Sequence, residues 1–280
     1  MSMLGKQVRL NRIIDTASDK MIAITVDHAT SRGIAPLTGL QPIQSTIDRI
    51  VAGKPTALTL TKGIAERCMQ QYAGKVPMLL KISNYSPVAP TKDVVFGTVD
   101  EAIRLGADAV SMGAILLGDQ QGAQFEAIGK ISEECARKGM PLIGHVYPKG
   151  ESVPREAQTD WKNIAYCVRS ACELGMDIVK TTYTGDPETM AKVIACVPSS
   201  FRVVIQGGDL CKTMLDYLNM VRDAMDCGVG GITMGRFVWN YPDVTAMVIT
   251  LRYMICRNYS VAEATELLSQ LEHTHEYDAF

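Results

Sequence analysis

The sequence predicts a closed (β/α)8 TIM barrel occupying residues 1–280 as one domain, with extra helices at both ends. Three observations carry that prediction. Short apolar runs alternate eight times with segments of helical period. No shift in composition interrupts the alternation, and 280 residues suit a barrel that typically needs about 250. The competing architecture is an open doubly wound sheet. It would place a glycine fingerprint after the first strand, where this chain has Asp27-His28-Ala29-Thr30.

Leu4 to Ile14 reads as a short helix across the barrel floor, and Met21 to Val26 as the first strand, closing on Asp27-His28. A turn-rich loop from Ala29 to Leu40 follows, then a helix marked by Ile43, Ile47, Ile50 and Val51. The second and third strands span 55–61 and 76–82, separated by helix 64–72; Asn84-Tyr85-Ser86-Pro87 is a loop. Helix 99–105 stops at Gly106, strand four covers 107–112, and helix 121–138 stops at Gly139. Strand five, 140–146, leads into Tyr147-Pro148-Lys149-Gly150, and helix 160–174 into the sixth strand around 176–179. Lys180 ends that strand, ahead of a Gly185-Asp186-Pro187 turn with proline at the first position of helix 187–196. Strand seven, 202–206, ends in Gln206-Gly207-Gly208. Helix 212–227, strand 230–234, Gly235-Arg236, helix 243–256 and a tail helix 260–271 complete the count.

Composition narrows the function classes. The chain is 47% hydrophobic and 21% charged with a net charge of −2, so it has no basic excess for nucleic acid. No apolar stretch reaches the roughly 18 residues of a membrane span, and the first eleven residues hold no signal-peptide core. Eight cysteines lie mostly in helix-like stretches without metal-ligand spacing, as small hydrophobes of a reducing compartment. The expectation is a soluble cytoplasmic protein without nucleic-acid or membrane partners. A metal site is disfavoured because only His28 and His145 lie at strand ends, with His273 and His275 in the tail.

In a barrel every strand's carboxyl end faces one bowl. Lys180 there, half-buried among apolar walls, loses hydration of its charged form. Its pKa falls and it becomes a nucleophile suited to Schiff-base formation with a carbonyl. The alternative is a lysine with its stem on the rim and its ammonium in water or on a phosphate. Lys62, before a glycine, reads as a loop or phosphate-facing charge. Lys81, between Leu80 and Ile82, reads as an inward ion-pair partner. Spacing excludes neither from imine formation. Asp27 ends an apolar strand and needs a cation, for which Lys180 is the candidate, or else caps its own loop in an Asx turn. Tyr147 shares a strand face with His145 and is placed to exchange a proton with a substrate oxygen; a lone His145 reads as a satisfied interior residue. Gly207-Gly208 and Gly235-Arg236 are consecutive turns of the kind that cradle phosphate, or merely tight βα turns. His28 stands with this substrate-binding group.

Ala23–His28, His145–Gly150, Asp177–Asp186, Gln206–Asp209 and Gly231–Trp239 together resemble the archaeal-type class I fructose-bisphosphate aldolase family, Schiff-base aldolases of the DeoC/FbaB-like group. The resemblance runs over almost the whole chain. Its most specific element is Ile178-Val179-Lys180-Thr181-Thr182-Tyr183-Thr184-Gly185-Asp186. It implies that Lys180 forms the imine, that Tyr147 transfers protons and that Asp27 is the strand-one aspartate. It also implies that Gly207, Gly208, Gly235 and Arg236 bind phosphate. Two departures stand out. Ala29 replaces the family's common glycine after the aspartate-histidine pair, and Phe237 its asparagine after the arginine.

The resemblance implies a metal- and cofactor-free aldolase, its only covalent partner being the imine on Lys180. The reaction it implies is cleavage of fructose 1,6-bisphosphate to dihydroxyacetone phosphate and glyceraldehyde 3-phosphate. The family also contains aminodideoxyheptulosonate synthases and a thiolase acting on a related phosphate; the thiolase branch lacks a tyrosine at the position of Tyr147. A barrel that binds a sugar phosphate as a sensor is the non-enzymatic alternative. The family resemblance further implies a homo-oligomer. The apolar run Met247, Leu251, Met254, Ile255 fits either a subunit contact or core packing.

Overall fold

The computed structural model describes residues 3–33, 35–207 and 211–280. Eight parallel strands close into a barrel: β1 (Met21–Thr25), β2 (Ala57–Thr61), β3 (Met78–Lys81), β6 (Ala109–Ile115), β7 (Leu142–Tyr147), β8 (Ile178–Thr181), β9 (Arg202–Ile205) and β10 (Gly231–Met234). Sequence neighbours pair around the ring, and β1 closes it against β10 with Met21 opposite Gly231 and Ile24 opposite Met234. All eight predicted strands are present. The addition is an antiparallel hairpin, β4 (Ser83–Ser86) with β5 (Ala89–Val95), rising from the end of β3 where the sequence reads as loop. Its base is fixed by Phe96 and Gly97, whose amides both donate to the Ile82 carbonyl.

Helices cover the outside because each strand is buried on both faces. Helix Gln121–Lys138 ends at Gly139 in the left-handed conformation, and helix Pro187–Ala195 starts on Asp186, whose carboxylate accepts from the Thr189 amide. Helix Val244–Cys256 is apolar nearly all round and is covered by helices Val261–Thr274 and Ile43–Ala52. Met247, Leu251, Met254 and Ile255 are therefore core residues, which removes the subunit-contact reading of that face.

The interior is layered by the two-residue period of the strands. Ile13, from helix Met3–Ile13, plugs the floor, as expected for a leader helix there. Around it Met21, Ala57, Leu79, Ala109, Ile143, Ile178 and Val204 form an apolar ring.

Candidate active site

Two residues further along the strands, or beyond Ala23 in β1, the inward positions turn polar: Thr25, Thr59, Lys81, Ser111, His145 and Lys180, each at most 6% exposed. One step beyond come Asp27, Ser83, Gly113 and Tyr147. Above this layer lies a cavity open at the carboxyl edge. Lys180, Lys81, Asp27, His145, Tyr147 and Gln206 all line it, so the structure brings together the three residues of the predicted catalytic set and two of the residues left ambiguous by spacing.

Lys180 sits in β8 opposite Val204 on one side and His145 on the other. Burial brings its amine down to about 7; Asp27 opposes the shift, while Lys81, Arg32 and Arg236 reinforce it. Lys81 is buried as deeply. Its pKa is also lowered by burial, with Asp93 and then Asp27 favouring the charged form. His145 is satisfied: its Nε2 lies 3.0 Å from the Ser111 hydroxyl, and burial beside Lys81 and Lys180 pushes its pKa well down, so it is a neutral imidazole. Tyr147 is 8% exposed and its phenol is raised well above its usual pKa, first by burial. It is a protonated phenol at neutral pH.

Asp27 is 8% exposed, its Oδ1 3.5 Å from His28 Nδ1. That contact is not an ion pair near neutral pH, because burial lowers His28 to about 4. It is also outside hydrogen-bond geometry, since Nδ1 has no partner among the described residues. His28 packs edge-on against Trp239, ring centroids 5.4 Å apart, and Trp239 Nε1 donates to the Thr25 carbonyl. The short helix Arg236–Trp239 is thereby pinned over β1. A Cβ at residue 235 would collide with His28 and Thr25, so close packing alone requires Gly235. Gly207 follows β9 beside Tyr217 and Met234; Gly208 lies outside the described residues. Phe237 stacks on Tyr217, centroids 3.8 Å apart, so the residue that departs from the family pattern packs against a neighbouring helix.

The other departure, Ala29, opens a short helix, Ala29–Arg32. Arg32 at its end lines the cavity and lies over the Tyr85 ring. Asn84 ties the hairpin back, donating from Nδ2 to the Asp27 carbonyl at 3.2 Å and to Thr30 Oγ1 at 2.8 Å. Arg32 and Asp93 are cavity residues that the sequence did not single out. The sequence signal at Asp93 is limited to the β-branched residues Thr91, Val94 and Val95 around it, which do not alternate with polar ones. Lys62, by contrast, starts helix Lys62–Cys68 and pairs with Glu101 at 3.0 Å, with 46% of its side chain exposed. It takes no part in the cavity lining.

Among the described residues no three His, Cys, Asp or Glu side chains gather as metal ligands, all eight cysteines are free, and no helix is long and apolar enough to cross a membrane.

A closed parallel barrel with a polar, lysine-bearing cavity at its carboxyl edge is the frame of an aldolase, and sequence comparison gives the same class. A family model described as DeoC/LacD family aldolase matches residues 21–241, and the chain belongs to that family. It is 31% identical over 253 residues to the 2-amino-3,7-dideoxy-D-threo-hept-6-ulosonate synthase of Halobacterium salinarum, covering 90% of this chain and 91% of the relative. Over 207 residues it is 32% identical to the class 1 fructose-bisphosphate aldolase of Thermoproteus tenax, covering 72% and 75%. The solved structure of an archaeal fructose 1,6-bisphosphate aldolase superposes with a TM-score of 0.82 at 27% identity, over 90% of this chain and 99% of that one. A further solved structure of an archaeal fructose-1,6-bisphosphate aldolase, with a TM-score of 0.81 at 27% identity over 89% and 99%, has its catalytic lysine covalently bound to the carbinolamine intermediate.

Proposed function

We propose that this chain is a class I, metal-independent aldolase that cleaves or forms a phosphorylated ketose, with fructose 1,6-bisphosphate as the substrate and dihydroxyacetone phosphate as the ketone product. The observation that carries this reading is the buried amine of Lys180, brought to about 7 in the same cavity as Asp27 and a protonated Tyr147. A free amine near neutral pH attacks the ketone carbonyl. The carbinolamine hydroxyl leaves as water, and the protonated imine is the electron sink for breaking the carbon–carbon bond.

Tyr147 suits the proton-donating half of the cycle, because its raised pKa keeps the phenol protonated at rest. It donates to the departing carbinolamine hydroxyl and, in the addition direction, to the aldehyde oxygen; the reverse transfers regenerate it. Asp27, whose charge favours the protonated form of Lys180, balances the cationic imine. Gly207, Gly235 and Arg236, with His28 beside them and Gly208 in the same predicted turn, form the phosphate-binding group. A phosphate there fixes the distance from anion to carbonyl, so that remote binding serves orientation.

A second reading keeps the imine and changes the aldehyde. The synthase of Halobacterium salinarum matches 90% of this chain against 72% for the Thermoproteus tenax aldolase. That difference favours addition of the ketone unit to an amino-acid semialdehyde. Product analysis separates the two. Incubation with fructose 1,6-bisphosphate is expected to release dihydroxyacetone phosphate and glyceraldehyde 3-phosphate. No cleavage, together with condensation of dihydroxyacetone phosphate and aspartate semialdehyde, would replace the first reading by the second. Assignment to the cytoplasm and to a homo-oligomer belongs to the same proposal and rests on the family alone.

A further inference from the structure

Asp93 is a carboxyl group of the cavity that favours the charged form of Lys81 and that the proposed chemistry does not otherwise use. It reaches the barrel mouth from β5 of the hairpin, and its carboxylate lies directly over Gly113 of β6. A Cβ at 113 would collide with that carboxylate, so a glycine is what lets the hairpin lower Asp93 into the bowl. Ser83 joins the two: its Oγ accepts the Gly113 amide proton at 2.8 Å and hydrogen-bonds the Asp93 carboxylate. The other carboxylate oxygen, Oδ1, is buried and has no hydrogen-bond partner among the described residues. A buried acceptor without a donor is costly, and a ligand donor recovers that cost.

The order of strands around the ring says which part of a ligand Asp93 meets. Going one way from β8, which holds Lys180, come β9 and β10 with the proposed phosphate turns. Going the other way come β7 with Tyr147, then β6 and β3 with Asp93 above them. A carbon chain anchored by its phosphate on the first side and by the imine at Lys180 runs past Tyr147 at the reacting bond towards Asp93.

We infer, on the basis of the aldolase reading above, that Asp93 is a specificity-determining residue for the aldehyde half of the substrate. Its Oδ1 accepts a hydrogen bond from a hydroxyl or ammonium group on the carbons beyond the bond that is made or broken. Aldehydes bearing such a donor are preferred over those without one.

The test is Asp93→Asn in the full chain, with dihydroxyacetone phosphate as the ketone and three aldehydes: glyceraldehyde 3-phosphate, aspartate semialdehyde and propionaldehyde. Borohydride trapping of dihydroxyacetone phosphate on Lys180 is measured alongside. Gly113→Ala is a second variant, since its methyl group pushes the flexible Asp93 carboxylate aside without altering its charge. In both variants trapping is expected to stay within twofold of wild type. KM for whichever of the first two aldehydes is used should rise at least about tenfold. The propionaldehyde rate should be unchanged. The aldehyde that loses most tells hydroxyl from ammonium recognition. Trapping intact with aldehyde KM values within twofold would overturn this inference alone. Loss of trapping in folded Asp93→Asn would also overturn it, by moving Asp93 to the ketone half. No imine on wild-type Lys180 would remove the aldolase reading and the inference together.

Discussion

Two inward layers of this barrel lie on the same strands only two residues, about 6.6 Å, apart, and they obey opposite rules. The lower one, Met21, Ala57, Leu79, Ala109, Ile143, Ile178 and Val204 around Ile13, is wholly apolar. The upper one carries Lys81, Ser111, His145 and Lys180 at comparable burial. Burial stabilises the first and penalises the charged forms in the second. The same strand framework that holds the floor rigid thus supplies the desolvation that lowers the Lys180 amine to about 7, as its proposed role as nucleophile requires. Stability and reactivity are separated by one step of the strand period.

The largest effect that tests this separation is Lys180→Met. Turnover is expected to fall by about four orders of magnitude or more, as for loss of a nucleophile elsewhere. Stability should move the other way. The native amine titrates near 7 and the unfolded one near 10.5. Between those values the unfolded chain binds a proton that the native protein does not, so wild-type stability rises with pH across that window. Below about pH 7 the full penalty applies, and the variant should be more stable there by up to about 5 kcal/mol, read by urea unfolding at several pH values. A variant no more stable than wild type would contradict a desolvated amine.

Next in size, Tyr147→Phe keeps the ring and removes the proton. A loss of about 100- to 10,000-fold in kcat, with ketone binding and the fold preserved, is the expected outcome of steady-state kinetics. In the floor the pattern inverts: Leu79→Ala should cost about 2–5 kcal/mol of stability and leave kcat/KM of the folded enzyme within about threefold. Equal damage to both quantities would mean that the layers are not separable. The smallest effect concerns His28, which titrates at about 4 in the native protein. With an unfolded value near 6.5, the native state binds fewer protons, and stability falls as pH drops from about 6.5 to 4 by at most about 3 kcal/mol. His28→Gln should flatten that acid limb in unfolding measurements.

Much of this arrangement is legible in the sequence. Strand eight of the structure is a case in point, since Ile178-Val179-Lys180 followed by Gly185-Asp186-Pro187 fixes a strand end, a turn and a helix start, and all three are found there. Once the strands are assigned, the period of two also puts Lys81, His145 and Tyr147 on the inner face. What the sequence hides is what depends on insertion and on long-range approach. The hairpin Ser83–Val95 looks like a loop because its strands are mostly polar or half-buried and pair only with each other, so no buried apolar run announces them. The place of Asp93 in the bowl is hidden with it, because its partners Gly113 and Ser83 are brought near only by the closed ring. Gly235 shows the converse. A phosphate turn and a close contact with His28 both demand glycine, and only the packing reveals that the second demand exists.

The central claim is that Lys180 is the imine-forming amine, and borohydride trapping with dihydroxyacetone phosphate followed by peptide mass mapping tests it most directly. The account predicts a reduced adduct on the peptide containing Lys180, with an initial rate that rises through about pH 7, where its amine loses its proton. An adduct on Lys81 or Lys62 in place of Lys180, or a rate that rises only near pH 10, would contradict it.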